Sequence, residues 1–196
     1  MSKHQPEEVR RRQILNAAKL CFIDQGLDST TMRDVAKEAK LSLGGIYFHF
    51  DSKSDIFRAV CDETYGTVLR KWQDKAGDHD STGGLLRALA TINIKMIEDD
   101  PNYFRLALVL NAAAVSEKKL QKIKRVHHRS FVEFIEKSLE AAVQSKEFRA
   151  HDCLGVAESI VAIFDGFYLR RSINADIHAW QSITVAINLI IEALSQ

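Results

Sequence analysis

Proline is almost missing from this chain of 196 residues, where Pro6 and Pro101 are the only two. Proline breaks helix interiors, so its scarcity leaves long helices uninterrupted, and both examples fall where a helix would start. Asp100 is a natural N-cap, and Pro101 after it takes the first helical position, where a missing N–H is no loss. Cysteine is scarce as well. Cys21, Cys61 and Cys153 are odd in number and scattered, which excludes a disulfide framework or a zinc knuckle. Each lies in an apolar helical pattern and reads as a small buried residue. Neither charge sign dominates, with 27 Lys and Arg against 26 Asp and Glu. Any nucleic-acid surface must therefore come from local placement of charge. No apolar run approaches the ~20 residues that span a bilayer. The opening Met1-Ser2-Lys3-His4-Gln5 holds no apolar signal core, so the expected location is the cytoplasm, with no membrane partner. Nucleotide loops, metal-spaced His/Cys/Glu sets and nucleophile motifs are missing too, and no enzyme, metal or cofactor is expected.

What the chain does have is helical periodicity almost everywhere, with no sustained period-two alternation, and the expected class is all-α. Ile14, Ala18, Cys21 and Phe22 share one face of a first helix from about Glu7 to Gln25. Gly26 suits a left-handed stop, with Leu27 as its apolar partner. Thr31-Met32-Arg33-Asp34 reads as a capping box for a short second helix that buries Val35, Ala36 and Ala39 and breaks near Lys40. Ser42 caps a third short helix reaching Phe50. Ser52-Lys53-Ser54-Asp55 repeats the box and opens a fourth helix ending near Asp74. Residues 76–84 are rich in Gly, Asp and Ser and read as a linker. Further helices are expected at about 85–98, 101–115, 117–147, 152–174 and 179–194.

Two short helices joined by a tight turn near the N-terminus predict a helix-turn-helix. Its second helix must enter a major groove about 12 Å wide, so its leading residues must be small or polar. Ser42-Leu43-Gly44-Gly45, with Ile46, Phe48 and Phe50 behind, meets that demand.

Three runs carry a family resemblance in register: Thr30-Thr31-Met32-Arg33-Asp34-Val35-Ala36, Leu41-Ser42-Leu43-Gly44-Gly45-Ile46-Tyr47-Phe48-His49-Phe50, and Ser52-Lys53-Ser54-Asp55-Ile56-Phe57. Over about residues 8–60 the chain resembles the TetR-family DNA-binding domain. The resemblance implies that Arg33 reaches a guanine edge and that Leu43, Gly44 and Gly45 face the bases. It implies that Tyr47, His49 and Lys53 hold phosphates, and that the N–H groups near the caps Thr31 and Ser42 meet phosphate oxygens. Lys40 stands where the family usually has glycine, so a left-handed turn there would be strained. Arg10, Arg11 and Arg12 read either as a phosphate-steering arm or as a solvated helix end. The basic block from Lys118 to Arg129 reads as the solvated face of an amphipathic helix, in preference to a second DNA surface.

The resemblance further implies a ligand-responsive repressor, bound as a homodimer to a palindromic operator in double-stranded DNA and released by a small-molecule effector. The alternative is a helical ligand sensor that activates, or that does not bind an operator. The expected domains are 1–52 for DNA binding, 53–75 as a connecting helix, and 76–196 for effector binding and dimerisation. The last two helices are apolar nearly all round, so both faces must be covered, and one face can pack on the core and the other on a second copy. Ile160, Ile163, Phe167, Ile187 and Ile191 are the residues expected at that seam. Asp165, an acid in the same apolar stretch, is either hydrogen-bonded at the interface or a partner for a cationic effector. Trp72, Met96, Tyr103, Phe104, Phe131 and Phe164 are expected either to line an effector pocket or to serve as ordinary core.

Overall fold

The computed structural model describes residues 6–173 and 179–195; Met1–Gln5 and the expected helix end at Asn174 lie outside them. The described residues form α1 (Glu7–Ser29), α2 (Met32–Glu38), α3 (Leu43–Tyr47), α4 (Lys53–Ala76), α5 (Thr82–Asp99), α6 (Pro101–Ser116), α7 (Lys118–Gln144), α8 (Cys153–Ile173) and α9 (Ala179–Leu194), with no strand among them. The expected all-α class holds. Two compact units share these helices. The first comprises the described residues up to Thr64 together with Arg105–Arg125, and the second comprises Tyr65–Phe104 and the described residues from Val126 on. α4, α6 and α7 each contribute residues to both.

In the first unit α1 buries Ile14, Ala18, Cys21 and Phe22, the face its spacing predicts. Val35, Ala36, Ala39, Ile46, Phe50, Ile56 and Phe57 complete this core. Each large apolar side chain so buried contributes roughly 1.5–3 kcal/mol. Regular helix is interrupted at Gly26, whose φ of 79° and ψ of 164° suit glycine alone, and one further turn follows. Thr31 and Asp34 close the expected capping box. Lys40 adopts φ 54°, the strained left-handed turn foreseen at that position. Ser42 Oγ accepts the Gly45 N–H at 3.1 Å, and Asp55 N–H donates to Ser52 Oγ at 3.2 Å. Phe48 departs from expectation. It does not lie behind the reading face but is 80% exposed, because α3 ends at Tyr47 and the chain turns before Phe50 enters the core.

In the second unit, helices α5, α8 and α9 and the segments of α4 and α7 from Tyr65 and Val126 on surround one apolar core that includes Trp72, Leu89, Ile135, Ile160, Phe164 and Ile187. The linker is shorter than its composition suggests, because Gly83 and Gly84 lie in the first turn of α5. Two caps explain this. Ser81 Oγ accepts the Gly84 N–H at 3.0 Å, and the Glu147 carboxylate accepts the N–H groups of Thr82 and Gly83, each at 2.9 Å. α7 stops at Gln144, before the expected Glu147, and left-handed Lys146 (φ 62°) precedes that carboxylate. Asp100 caps α6 as foreseen, its Oδ1 accepting the Asn102 N–H at 2.9 Å.

Candidate nucleic-acid interface

α2 and α3 position the side chains expected at DNA. Thr31 begins α2 with a reciprocal cap, in which its hydroxyl oxygen accepts from Asp34 N–H and the Asp34 carboxylate accepts the Thr31 N–H at 2.8 Å. The Thr31 hydroxyl, and then its N–H, hold the Asp34 carboxyl below the usual carboxylate range. A rigid α2 start fixes where Arg33 leaves the helix, and Arg33 is exposed. At the front of α3, Ser42 and Gly44 are exposed and Leu43 and Gly45 half-buried, while Ile46 behind them is fully buried. A Cβ added at Gly44 would meet nothing within 4 Å, whereas one at Gly45 would sit 3.3 Å from the capping Ser42 Oγ. Tyr47 is exposed and His49 half-buried, with the His49 ring edge-on to Phe48 at 5.1 Å. Thr31, Arg33, Ser42, Leu43, Gly44, Gly45, Tyr47 and His49 thus fall on consecutive short elements of one unit.

Lys53, expected at a phosphate, makes contacts of its own within the chain. Its ammonium faces inward, donating to the carbonyl oxygens of Leu27 at 2.6 Å, Thr30 at 2.9 Å and Asp28 at 3.2 Å. The arginines of α1 also divide. Arg10 donates to Gln13 Oε1 at 3.0 Å, Arg11 stacks over the Phe50 ring at 5.1 Å, and Arg12 is exposed. Gln13 in turn donates to Ala39 O at 2.6 Å, tying α1 to the α2–α3 turn. Sequence reasoning missed Phe48 and Gln13. Gln13 carried a signal, since it borders the buried Ile14 on the face α1 turns inward.

Cys21 and Cys61 are buried as expected, and burial pushes the Cys61 thiol up to about 12. Cys153 is only half-buried, within 3.6 Å of His151 Nε2. Among the described residues no set of His, Cys, Asp and Glu is arranged to hold a metal ion. No described helix is long and apolar enough to cross a membrane.

In the second unit the expected pocket side chains are brought together as packed core. Trp72 meets Phe131 at 4.9 Å and Phe164 at 5.8 Å between ring centroids, and Tyr103 meets Tyr168 at 5.9 Å. Met96 and Phe104 pack against the same cluster half-buried. A buried polar thread runs through it. Tyr168 donates to Asn93 Oδ1 at 2.7 Å, and Asn93 Nδ2 donates to Leu89 O at 2.8 Å. Burial, above all, raises the Tyr103 and Tyr168 hydroxyls and keeps both protonated. The Trp72 indole N–H is enclosed and has no hydrogen-bond partner among the described residues. Asn93 was not foreseen, although an amide on the inward face of α5, four residues after Leu89, is a readable signal.

The residues expected at a dimer seam lie mostly within this chain's own packing. Ile160 is 0% exposed and Ile187 1% exposed, and Phe167 and Ile191 are buried as well. All four belong to the apolar core of the second unit, and Ile163 is half-buried against it. The outward face of α8 and α9 carries Leu154, Leu169, Ile173, Val185 and Leu189. Gly166 and Asp165 are also exposed there.

Comparison with known proteins agrees with this geometry. Residues 14–60 match the model described as bacterial regulatory proteins, tetR family, and residues 84–190 match that of the BetI-type transcriptional repressor, C-terminal. The chain is 25% identical over 181 residues to the regulator BetI of Paraburkholderia phymatum, covering 90% of this chain and 88% of BetI. It is 39% identical over 75 residues to the regulator YfiR of Bacillus subtilis, 38% of this chain and 36% of YfiR. The repressor KstR2 of Rhodococcus jostii is 32% identical over 93 residues, 45% of this chain and 44% of KstR2. The chain thus spans less than half the length of YfiR and of KstR2. Among solved structures, Salmonella enterica GusR shares the fold with a TM-score of 0.82 at 19% identity, over 99% of each chain. SmeT in complex with triclosan does so with a TM-score of 0.84 at 19% identity, over 96% of this chain and 92% of that one. With a tetR-family match over its N-terminal helices and a BetI-type repressor match over more than half its length, the chain belongs to the TetR family of transcriptional regulators.

Proposed function

We propose that this regulator is a homodimeric repressor that reads a palindromic operator through α2 and α3 and is released by a small molecule bound within the second unit. The observation that carries the proposal is the doubly capped pair α2 and α3, which presents Arg33, Leu43, Gly44 and Tyr47 outward above a closed apolar core. Such a pair fits a major groove. The outward apolar face of α8 and α9 supports the dimer, since a face bearing Leu169, Val185 and Leu189 calls for a cover. The second copy of the same face supplies one across a two-fold axis, matching the symmetry of a palindrome. The uncommitted Trp72 N–H supports the effector site. A buried donor without a partner costs about 1–3 kcal/mol, which a ligand oxygen among Phe131, Phe164 and Tyr103 would recover. The favoured effector is therefore largely apolar and carries a hydrogen-bond acceptor. It must bind one arrangement of the dimer better than the other, or release would not follow.

A gel-shift titration with a duplex of the gene's own upstream region, at several salt concentrations, tests this function. The expected outcome is a steep negative dependence of log K on log salt, with clear preference over a scrambled duplex. Binding both duplexes alike overturns it. Among compounds added to the complex, those joining an apolar body to an acceptor oxygen should abolish the shift.

A further inference from the structure

Lys53 opens α4, yet its side chain runs back to the end of α1. An ammonium has three N–H donors. In this structure the carbonyls of Leu27, Asp28 and Thr30 take all of them, at 2.6, 3.2 and 2.9 Å. These oxygens are available for a reason. The chain leaves the helix after α1, where Leu27 O also accepts the Thr30 N–H at 3.2 Å, and a helix C-terminus with few N–H partners left for its last carbonyls attracts a cation. Thr30, 1% exposed, fixes this stretch by donating its hydroxyl to Gly26 O at 2.7 Å. Thr30 also directly precedes Thr31, the cap of α2, and Arg33 follows two residues later. The α4 end of the tie is held separately, by the hydrogen bonds between Ser52 and Asp55.

We infer that Lys53 is a positioning residue whose ammonium ties the end of α1, the start of α2 and the start of α4 into one corner, and so sets where Arg33 stands. To reach a phosphate it would have to abandon three carbonyls, two of them in partly buried contacts. The DNA half of this inference rests on the function proposed above; the stability half does not.

Lys53→Met and Lys53→Arg separate a corner tie from a phosphate contact. Methionine keeps the length of the stem but loses the donors. Arginine keeps the charge, but its planar fork does not match three carbonyls arranged around a compact ammonium. A tie predicts that both variants melt about 5 °C below the parent. It also predicts that both bind the upstream-region duplex at least tenfold more weakly, with the salt slope of the parent. A Lys53→Met chain too unstable to fold supports the tie, and Lys53→Arg then carries the DNA comparison. The tie is overturned if Lys53→Met melts with the parent while its salt slope falls by about 1 per lost contact and Lys53→Arg restores binding. If the parent itself shows no sequence preference, the DNA-reading proposal fails, and the melting comparison still decides whether the corner is tied.

Discussion

Arg33 stands beside a recognition helix with little polar chemistry of its own. In the proposed function Leu43 would only touch thymine methyls, and Gly44 and Gly45 have no side chain, so polar base discrimination would fall on Arg33, with DNA shape adding the rest. Arg33→Ala should cost ~1–3 kcal/mol of operator binding and relax preference at one base pair per half-site, as read from competition with single-substituted duplexes. Equal losses on operator and scrambled DNA would reduce Arg33 to a phosphate contact. Lys40 makes a different prediction. At φ 54° it carries the strain of a side chain in a left-handed turn. Lys40→Gly should raise stability by a few tenths to ~1 kcal/mol, seen as a higher melting midpoint with DNA contacts untouched. Cap residues were legible in sequence because each acts on backbone within four residues, and Lys40 was legible because the family resemblance puts a glycine at that turn. Phe48 and Lys53 were not. Their directions depend on where α3 stops and on carbonyls 23–26 residues earlier in the chain, which no local pattern encodes.

Among the elements, α5 shows how a distant side chain decides a helix start. Its composition reads as linker, yet Ser81 and the Glu147 carboxylate satisfy the first N–H groups and let two glycines become helical. Burial alone would raise the Glu147 carboxyl, but the N–H groups of Gly83 and Thr82 outweigh it and hold it below its ordinary value. A carboxyl lowered by folding contributes stability that is full above its unfolded value near 4.5 and is lost as pH falls through the lower folded value. Glu147→Gln should therefore melt below the parent at pH 7, and the gap should close as the pH falls below about 4.5 and through the lower folded value. A gap independent of pH would assign the loss to packing. Glu147→Ala should cost ~0.5–2 kcal/mol, the usual range for a lost cap. The other helices began and ended within a few residues of expectation, because caps, Pro101 and Gly26 are written where they act.

For the whole molecule, apolar residues all round α8 and α9 announced two covered faces without saying which face was which. Periodicity gives the stripes. Only packing turned Ile160, Phe167, Ile187 and Ile191 inward and left Leu169, Val185 and Leu189 outside. In the proposed dimer, a charge placed on the outward face would meet its own copy across the two-fold axis. Leu189→Glu, at a residue 59% exposed, should shift sedimentation from dimer to monomer at micromolar concentration while helix content stays unchanged. A protein that is monomeric before the change would remove the premise. The same two-fold gives the bare site at Gly44 a wider meaning. A side chain there would enter open space, leave the core and the Ser42 cap untouched, and favour the helix. If the proposed dimer reads a palindrome, both copies come from one gene, and a single altered codon would rewrite both of its arms together, giving descendants of this regulator a short route to new targets.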